Sequence, residues 1–161
     1  MKFKLVPEAP AEFDFVAETQ RAVPLVPGTE DDCCARLMNR LDFPSREIAR
    51  TWLTFLRALE LAEETQSGFA RLRRDPDRNE LAEAFQSRVY GVSTVLSVLE
   101  EHGPLTEQAV FEKFRDEIPT WERHKDPSRA ENVWRERVGN MLDWAVLLEL
   151  AEREDGEYRR A

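Results

Sequence analysis

The sequence predicts a mainly α-helical protein with small β-hairpins, built as two tandem units that share one order: helix, helix, longer helix, hairpin. Three observations carry this. Residues 59–66 read LELAEETQ and residues 148–155 read LELAERED, an offset of 89. Upstream of each copy, apolar residues recur at helical spacing. Downstream, each copy crosses a polar turn with Gly68 or Gly156 and continues as alternating residues, the mark of a hairpin that follows a helix.

The first helix is expected around residues 11–22, ended by Pro24 and Pro27. A second follows in PGTEDDCCARLMNRL, residues 27–41, where Thr29 can cap the helix and the acids behind it suit its positive end. This segment matches GPLTEQAVFEKFRDEI, residues 103–118, at an offset of 77. Thr29 falls on Thr106, Cys33 on Val110, Cys34 on Phe111, Leu37 on Phe114 and Leu41 on Ile118. Cys33 and Cys34 therefore sit on core positions. A bridge between neighbours is strained, and two thiolates are too few for a zinc site. Ser45 can cap the third helix, which turns Ala49, Trp52, Leu53, Leu56 and Leu59 inward, with Ile48 on the same side. In the hairpin that follows, Ala70 and Leu72 face inward and Arg71 and Arg73 outward.

The stretch RDPDRN, residues 74–79, separates the units, giving 1–76 and 77–161. Asp77 with Glu80 opens a long helical stretch over 78–101, kinked near Gly91. The two offsets differ by 89 − 77 = 12, which is read as an inserted loop at 119–130, PTWERHKDPSRA. Ser128 with Glu131 has capping-box spacing and opens the last helix. That helix carries Trp134, Val138, Met141, Leu142, Ala145 and Leu148 on its apolar face.

The 161 residues are 42% hydrophobic and 34% charged, which supports a packed core rather than disorder. The net charge of −9 opposes indiscriminate binding to nucleic acid or anionic membrane. No apolar run approaches the roughly 20 residues of a membrane helix. The start MKFKLVPEAPAEFDF lacks the apolar core of a signal peptide, so a cytoplasmic location is expected. Only four of 23 basic residues are Lys, and this acidic, Arg-over-Lys composition looks like that of a protein from a salt-loving archaeon. His102 and His124 stand alone, with no nucleophile partner, no Gly-rich phosphate loop and no HExxH. No enzyme activity, metal or cofactor is expected.

The segments LDFPSREIARTWLTFLRALELAEETQSGFARL and VWRERVGNMLDWAVLLELAEREDGEYRR run in the same order. Each passes from a turn to a helix, a Leu-x-Leu strand, a polar tip and a return strand. This resembles the winged helix-turn-helix family in tandem copies, and is similar to small winged-helix proteins of haloarchaea. The resemblance implies two candidate surfaces, the outward face of the recognition helix and the wing. In the first unit these carry Arg46, Arg50, Thr51, Thr54 and Arg57, then Arg71 and Arg73. Between residues 44 and 74, six Arg face four acids, a local charge of +2. Arg on such a helix can reach guanine edges or phosphates of double-stranded DNA, and Arg on a wing the backbone or minor groove. The second unit shows Arg135, Glu136, Asn140 and Asp143 on its helix and Glu154, Asp155 and Glu157 on its wing, which suits a protein partner or a homodimer. Trp121, in the polar insertion, either packs on its own domain, the expected case, or anchors a partner. Two function classes follow: a DNA-binding, transcription-regulatory protein that reads through its first unit, and a protein-interaction adaptor with no nucleic-acid contact.

Overall fold

Proline and glycine punctuate the chain, and short polar side chains open its helices. The computed structural model describes residues 2–161. It divides into two compact units, one running through Val89 and the other spanning Tyr90–Ala161. The first holds α1 (Asp14–Ala22), α2 (Glu30–Leu41), α3 (Arg46–Ala58), β1 (Ala62–Thr65), β2 (Gly68–Arg71) and α4 (Arg78–Arg88). The second holds α5 (Val92–His102), β3 (Leu105–Thr106), α6 (Glu107–Phe114), a 3-10 turn (Arg115–Glu117), α7 (Thr120–Lys125), α8 (Pro127–Leu147), β4 (Ala151–Glu154) and β5 (Glu157–Arg160). Thr29, Ser45, Asp77 and Thr106 cap α2, α3, α4 and α6, accepting backbone N–H bonds of 3.0–3.2 Å. Each satisfies a donor that has no partner inside its helix. No helix among the described residues is long and apolar enough to cross a membrane.

The repeated LELAE is the joint between helix and wing. At the end of α3, Glu60 N–H bonds Arg57 O and Leu61 N–H bonds Leu56 O. At the end of α8, Glu149 bonds Val146 and Leu150 bonds Ala145 in the same way. Glu60 and Glu149 both sit at φ 62, the left-handed turn that closes a helix through this bond pair. The turn aims the next residue into the hairpin. Ala62 then pairs with Arg71, and Ala151 with Arg160. Leu72 N–H returns to Leu61 O and Ala161 N–H to Leu150 O, so each wing closes on its own Leu-x-Leu.

A third strand position completes each wing. Gly28 exchanges both backbone bonds with Phe69 at 2.8 and 2.9 Å, and Leu105 of β3 pairs with Tyr158 of β5. Gly28 and Leu105 are 77 apart and Phe69 and Tyr158 are 89 apart, so the two sequence offsets meet within one sheet. In the first unit the edge is a single bridge. Arg71 N–H bonds Pro24 O, and Leu25 and Val26 bulge outward between the two contacts. Pro27 has no N–H to extend the ladder.

Three expectations are corrected. The stretch 78–101 is two helices, not one kinked helix. Gly91 takes φ 91, and a Cβ there would lie 2.8 Å from the Phe114 ring. The compact units meet at Val89/Tyr90 rather than at 76/77 because α4 packs on α3. Phe85 lies edge-on to Phe55 at 6.1 Å, and Arg88 donates to Ala58 O and Arg57 O at 2.9 and 3.1 Å. The insertion 119–130 is helical, as α7 and the first turn of α8, instead of a loop. Asp126 caps α8 in place of Ser128, and Pro127 fits the first turn, where its missing N–H has no bond to lose.

Each core is centred on a tryptophan. Trp52 of α3 packs on Phe15 at 5.7 Å and Phe43 at 6.0 Å. Trp134 of α8 packs on Tyr90 at 5.5 Å and Phe114 at 5.8 Å. Cys33 and Cys34 are buried free thiols, and burial raises both above their ordinary range. Ile48 departs from the expected inner side: it is 39% exposed, at the margin of the apolar stripe in the first turn of α3.

Candidate nucleic-acid interface

Ser45 starts α3 so that Arg46, Glu47, Ile48 and Arg50 face solvent, with Thr51 and Thr54 half-buried beside them. Thr51 Oγ1 donates back to Glu47 O at 3.0 Å, a bond within its own helix. Arg46 and Arg50 keep side-chain exposures of 55% and 57% while meeting carboxylates. Arg46 bonds Asp31 and lies 3.4 Å from Glu30 Oε1, and Arg50 Nε lies 3.5 Å from the same oxygen. Both acids belong to the first turn of α2, where they also suit the helix N-terminus. Packing of α2 on α3 creates these pairs, which sequence reasoning missed. Exposed pairs of this kind contribute about 0–1 kcal/mol.

The five arginines expected on the helix face and the wing differ in their surroundings. Arg57 is 27% exposed at its side chain, pairs with Glu64 at 3.1 Å, and stacks 5.3 Å from the Phe3 ring centroid and 5.6 Å from that of Phe69. It belongs to the base of the wing, not to the outer face of α3. Its cover also explains why Phe69 is buried along with Ala70, although the two alternate on β2. Arg71 is half-buried, with its Nε out of water and without a hydrogen-bond partner, while Arg73 beyond β2 is exposed. Leu72 is only half-buried. Between the strands, Gln66 and Ser67 give the tip no charge.

Gln20 was not visible as functional or structural from sequence. It is 4% exposed, and its Nε2 donates to Leu61 O, Leu72 O and Arg74 O at 3.3, 3.1 and 2.8 Å. One amide on α1 thus ties together the two ends of the wing. A glutamine in a polar helical stretch carries no signal of that.

The second unit has the same frame and different chemistry. At the offset of 89, Arg46 corresponds to Arg135, Arg50 to Gly139 and Thr54 to Asp143. Arg135 lies 4.8 Å from the Phe111 ring and donates to Asn132 Oδ1 at 3.2 Å. A Cβ at Gly139 would stand 2.5 Å from Glu107 Oε1, and Glu107 is the counterpart of Glu30 at the offset of 77. Asp143 accepts the Tyr158 hydroxyl at 2.6 Å. Burial, followed by that carboxylate, pushes the phenol well above its ordinary range. The wing tip exposes Glu154, Asp155 and Glu157. Where the first unit exposes Arg50 and an uncharged tip, this one has Gly139 and carboxylates. Trp121 on α7 is 62% exposed, contrary to the expected packing on its own domain. The adjacent Glu122 takes the inward place, accepting Trp134 Nε1–H at 3.3 Å. Among the described residues, no group of three or more His, Cys, Asp or Glu is placed to hold a metal ion.

A family model described as "Halobacterial double winged helix domain" matches residues 1–161. No curated protein and no solved structure matches the chain.

Proposed function

The chain belongs to this family of halobacterial double winged helix domains, and from that premise we propose that its first unit binds double-stranded DNA through α3 and the wing, as the reading head of a cytoplasmic transcription regulator. A winged-helix family suggests DNA binding at the level of the fold. The observation that carries the finer reading is the pair Arg46 and Arg50. They stand one turn apart on the outer side of α3, more than half exposed, and are held only by exchangeable surface acids. Four residues advance about 6 Å along the helix, so the two can address neighbouring base pairs of a major groove. Thr51, Thr54 and the exposed Ile48 flank them, the last suited to a thymine methyl. The uncharged tip at Gln66 and Ser67 can approach the backbone, and Arg73 supplies a phosphate contact behind it.

A net charge of −9 forbids adhesion by bulk charge, and in high salt counterion release adds little. Recognition then depends on fit and base contacts. We assign the second unit, with its acidic wing and the exposed Trp121, to a protein partner or a second copy. Those same features favour the alternative, an adaptor without nucleic-acid contact.

A duplex titration at two salt concentrations separates the readings. Wild type should bind, and Arg46→Ala with Arg50→Ala should lose about 1–3 kcal/mol per base-reading contact. Arg73→Ala should weaken all sequences alike and flatten the salt dependence. Equally weak binding by wild type and the double variant would leave the adaptor.

A further inference from the structure

A cleft of about 520 Å³ opens on the first unit where the end of α3, the base of the wing and α4 meet. Its wall includes Phe3, Arg57, Glu60, Arg73, Arg74 and Arg88. Two of these arginines are fixed in place. Arg88 is anchored by its bonds to Ala58 O and Arg57 O, and Arg57 by the Phe69 ring. Their guanidinium carbons lie 5.4 and 5.3 Å from the ring centroid of Phe3. Glu60 holds one carboxylate oxygen 3.3 Å from Arg74 and the other 3.5 Å from Arg88. That is the geometry of a two-oxygen anion bridging two guanidiniums, and Glu60 is 45% exposed while doing it. Arg73 adds a cation with no carboxylate within ion-pair distance among the described residues. Four guanidiniums in the wall thus face three glutamates, Glu60, Glu63 and Glu64.

We propose that this cleft binds a small molecule bearing a pyrophosphate or polyphosphate group, with Arg73, Arg74 and Arg88 as its ligands and Glu60 as the built-in competitor. Guanidinium forks match phosphate oxygens in pairs, and a phosphate chain offers more charge and more acceptors than one carboxylate. Exposed carboxylate pairs cost little to displace. The volume is that of a small-molecule site. Arg73 is shared with the proposed DNA contact, but Arg74, Arg88 and Glu60 are not, and pyrophosphate binding is measured without duplex, so either reading can fail alone.

The test is calorimetric titration of the full chain with inorganic pyrophosphate. Wild type is expected to saturate at one site. Arg73→Gln with Arg74→Gln should weaken binding roughly tenfold or more, about 1.4 kcal/mol. Glu60→Gln should tighten it by freeing Arg74 and Arg88. Arg46→Gln, outside the cleft, should leave it unchanged. Circular dichroism checks that each variant is folded, which the exposure of Arg73 and Arg74 favours. No saturation by wild type, equal affinity in the arginine double variant, or weaker binding by Glu60→Gln overturns the proposal.

Discussion

A phenol that is 2% exposed and donates to a carboxylate cannot ionise without loss, and Tyr158 is such a group. Its ordinary value is 10.0, and the fold raises it through burial and Asp143. The folded state therefore holds the proton more tightly than the unfolded chain. The resulting stability is complete below about pH 10 and falls as pH rises toward the folded value. Tyr158→Phe should cost about 1–2 kcal/mol at neutral pH and should also flatten the alkaline decline. Urea melts at neutral pH and above 10 would check both. A residue of this sort was only half legible. The offset of 89 sets Tyr158 on Phe69, but its bond to Asp143, read as an outward position, needs the tertiary pairing. The same holds for Arg46 and Glu30, which are sixteen residues apart in sequence and joined only by helix packing. Thr29, Ser45 and Asp77 were legible as caps because their bond closes within three residues, whereas at α8 two candidates stand two residues apart and Asp126, not Ser128, takes the place.

At the scale of elements, the LELAE repeat encodes a joint more than a strand. Two leucines close the helix and enter the wing, and the glutamate between them takes the left-handed turn. An L-residue there is strained by about 1 kcal/mol, which glycine avoids at some cost in unfolded-chain entropy. Glu149→Gly should accordingly leave the fold intact and raise stability by up to about 1 kcal/mol, read as a shift of the urea midpoint at constant slope. Destabilisation would show that the Glu149 side chain contributes more than its backbone strain takes away. The helix–wing joint was readable because the pattern is local and occurs twice. The segment 119–130 was not, because its polar residues and Pro127 suit a loop as well as a helix start. Capping by Asp126 and the inward Glu122 decide for helix. In the same way, α4 looked continuous with α5 until Gly91 and the closely placed Phe114 ring separated them.

For the whole molecule, one frame is used twice with different surface chemistry. The fold needs the caps, the Leu-x-Leu joint and the tryptophan-centred cores, and these recur or have counterparts in both units. The outer face of the helix before each wing and the wing tip are free to diverge, and they have: Arg50 is answered by Gly139, and the uncharged first tip by Glu154, Asp155 and Glu157. If α3 of the first unit reads DNA as proposed, the acids of α2 set the threshold for that ligand. A phosphate or base edge would then have to replace Glu30 and Asp31 at Arg46 and Arg50 before it gained anything. Neutralising both, as Glu30→Gln with Asp31→Asn, removes the competitor without touching the arginines. Duplex affinity should rise a few-fold at low salt, in line with surface pairs of about 0–1 kcal/mol each. The gain over wild type should shrink as salt rises and screens the exposed acids. Some loss of helix-terminus stabilisation, about 0.3–1 kcal/mol per charge, should appear separately in the melting curve. If duplex affinity stays unchanged at every salt, DNA does not meet the first half of α3, and the surface built from Arg46 and Arg50 serves a protein instead.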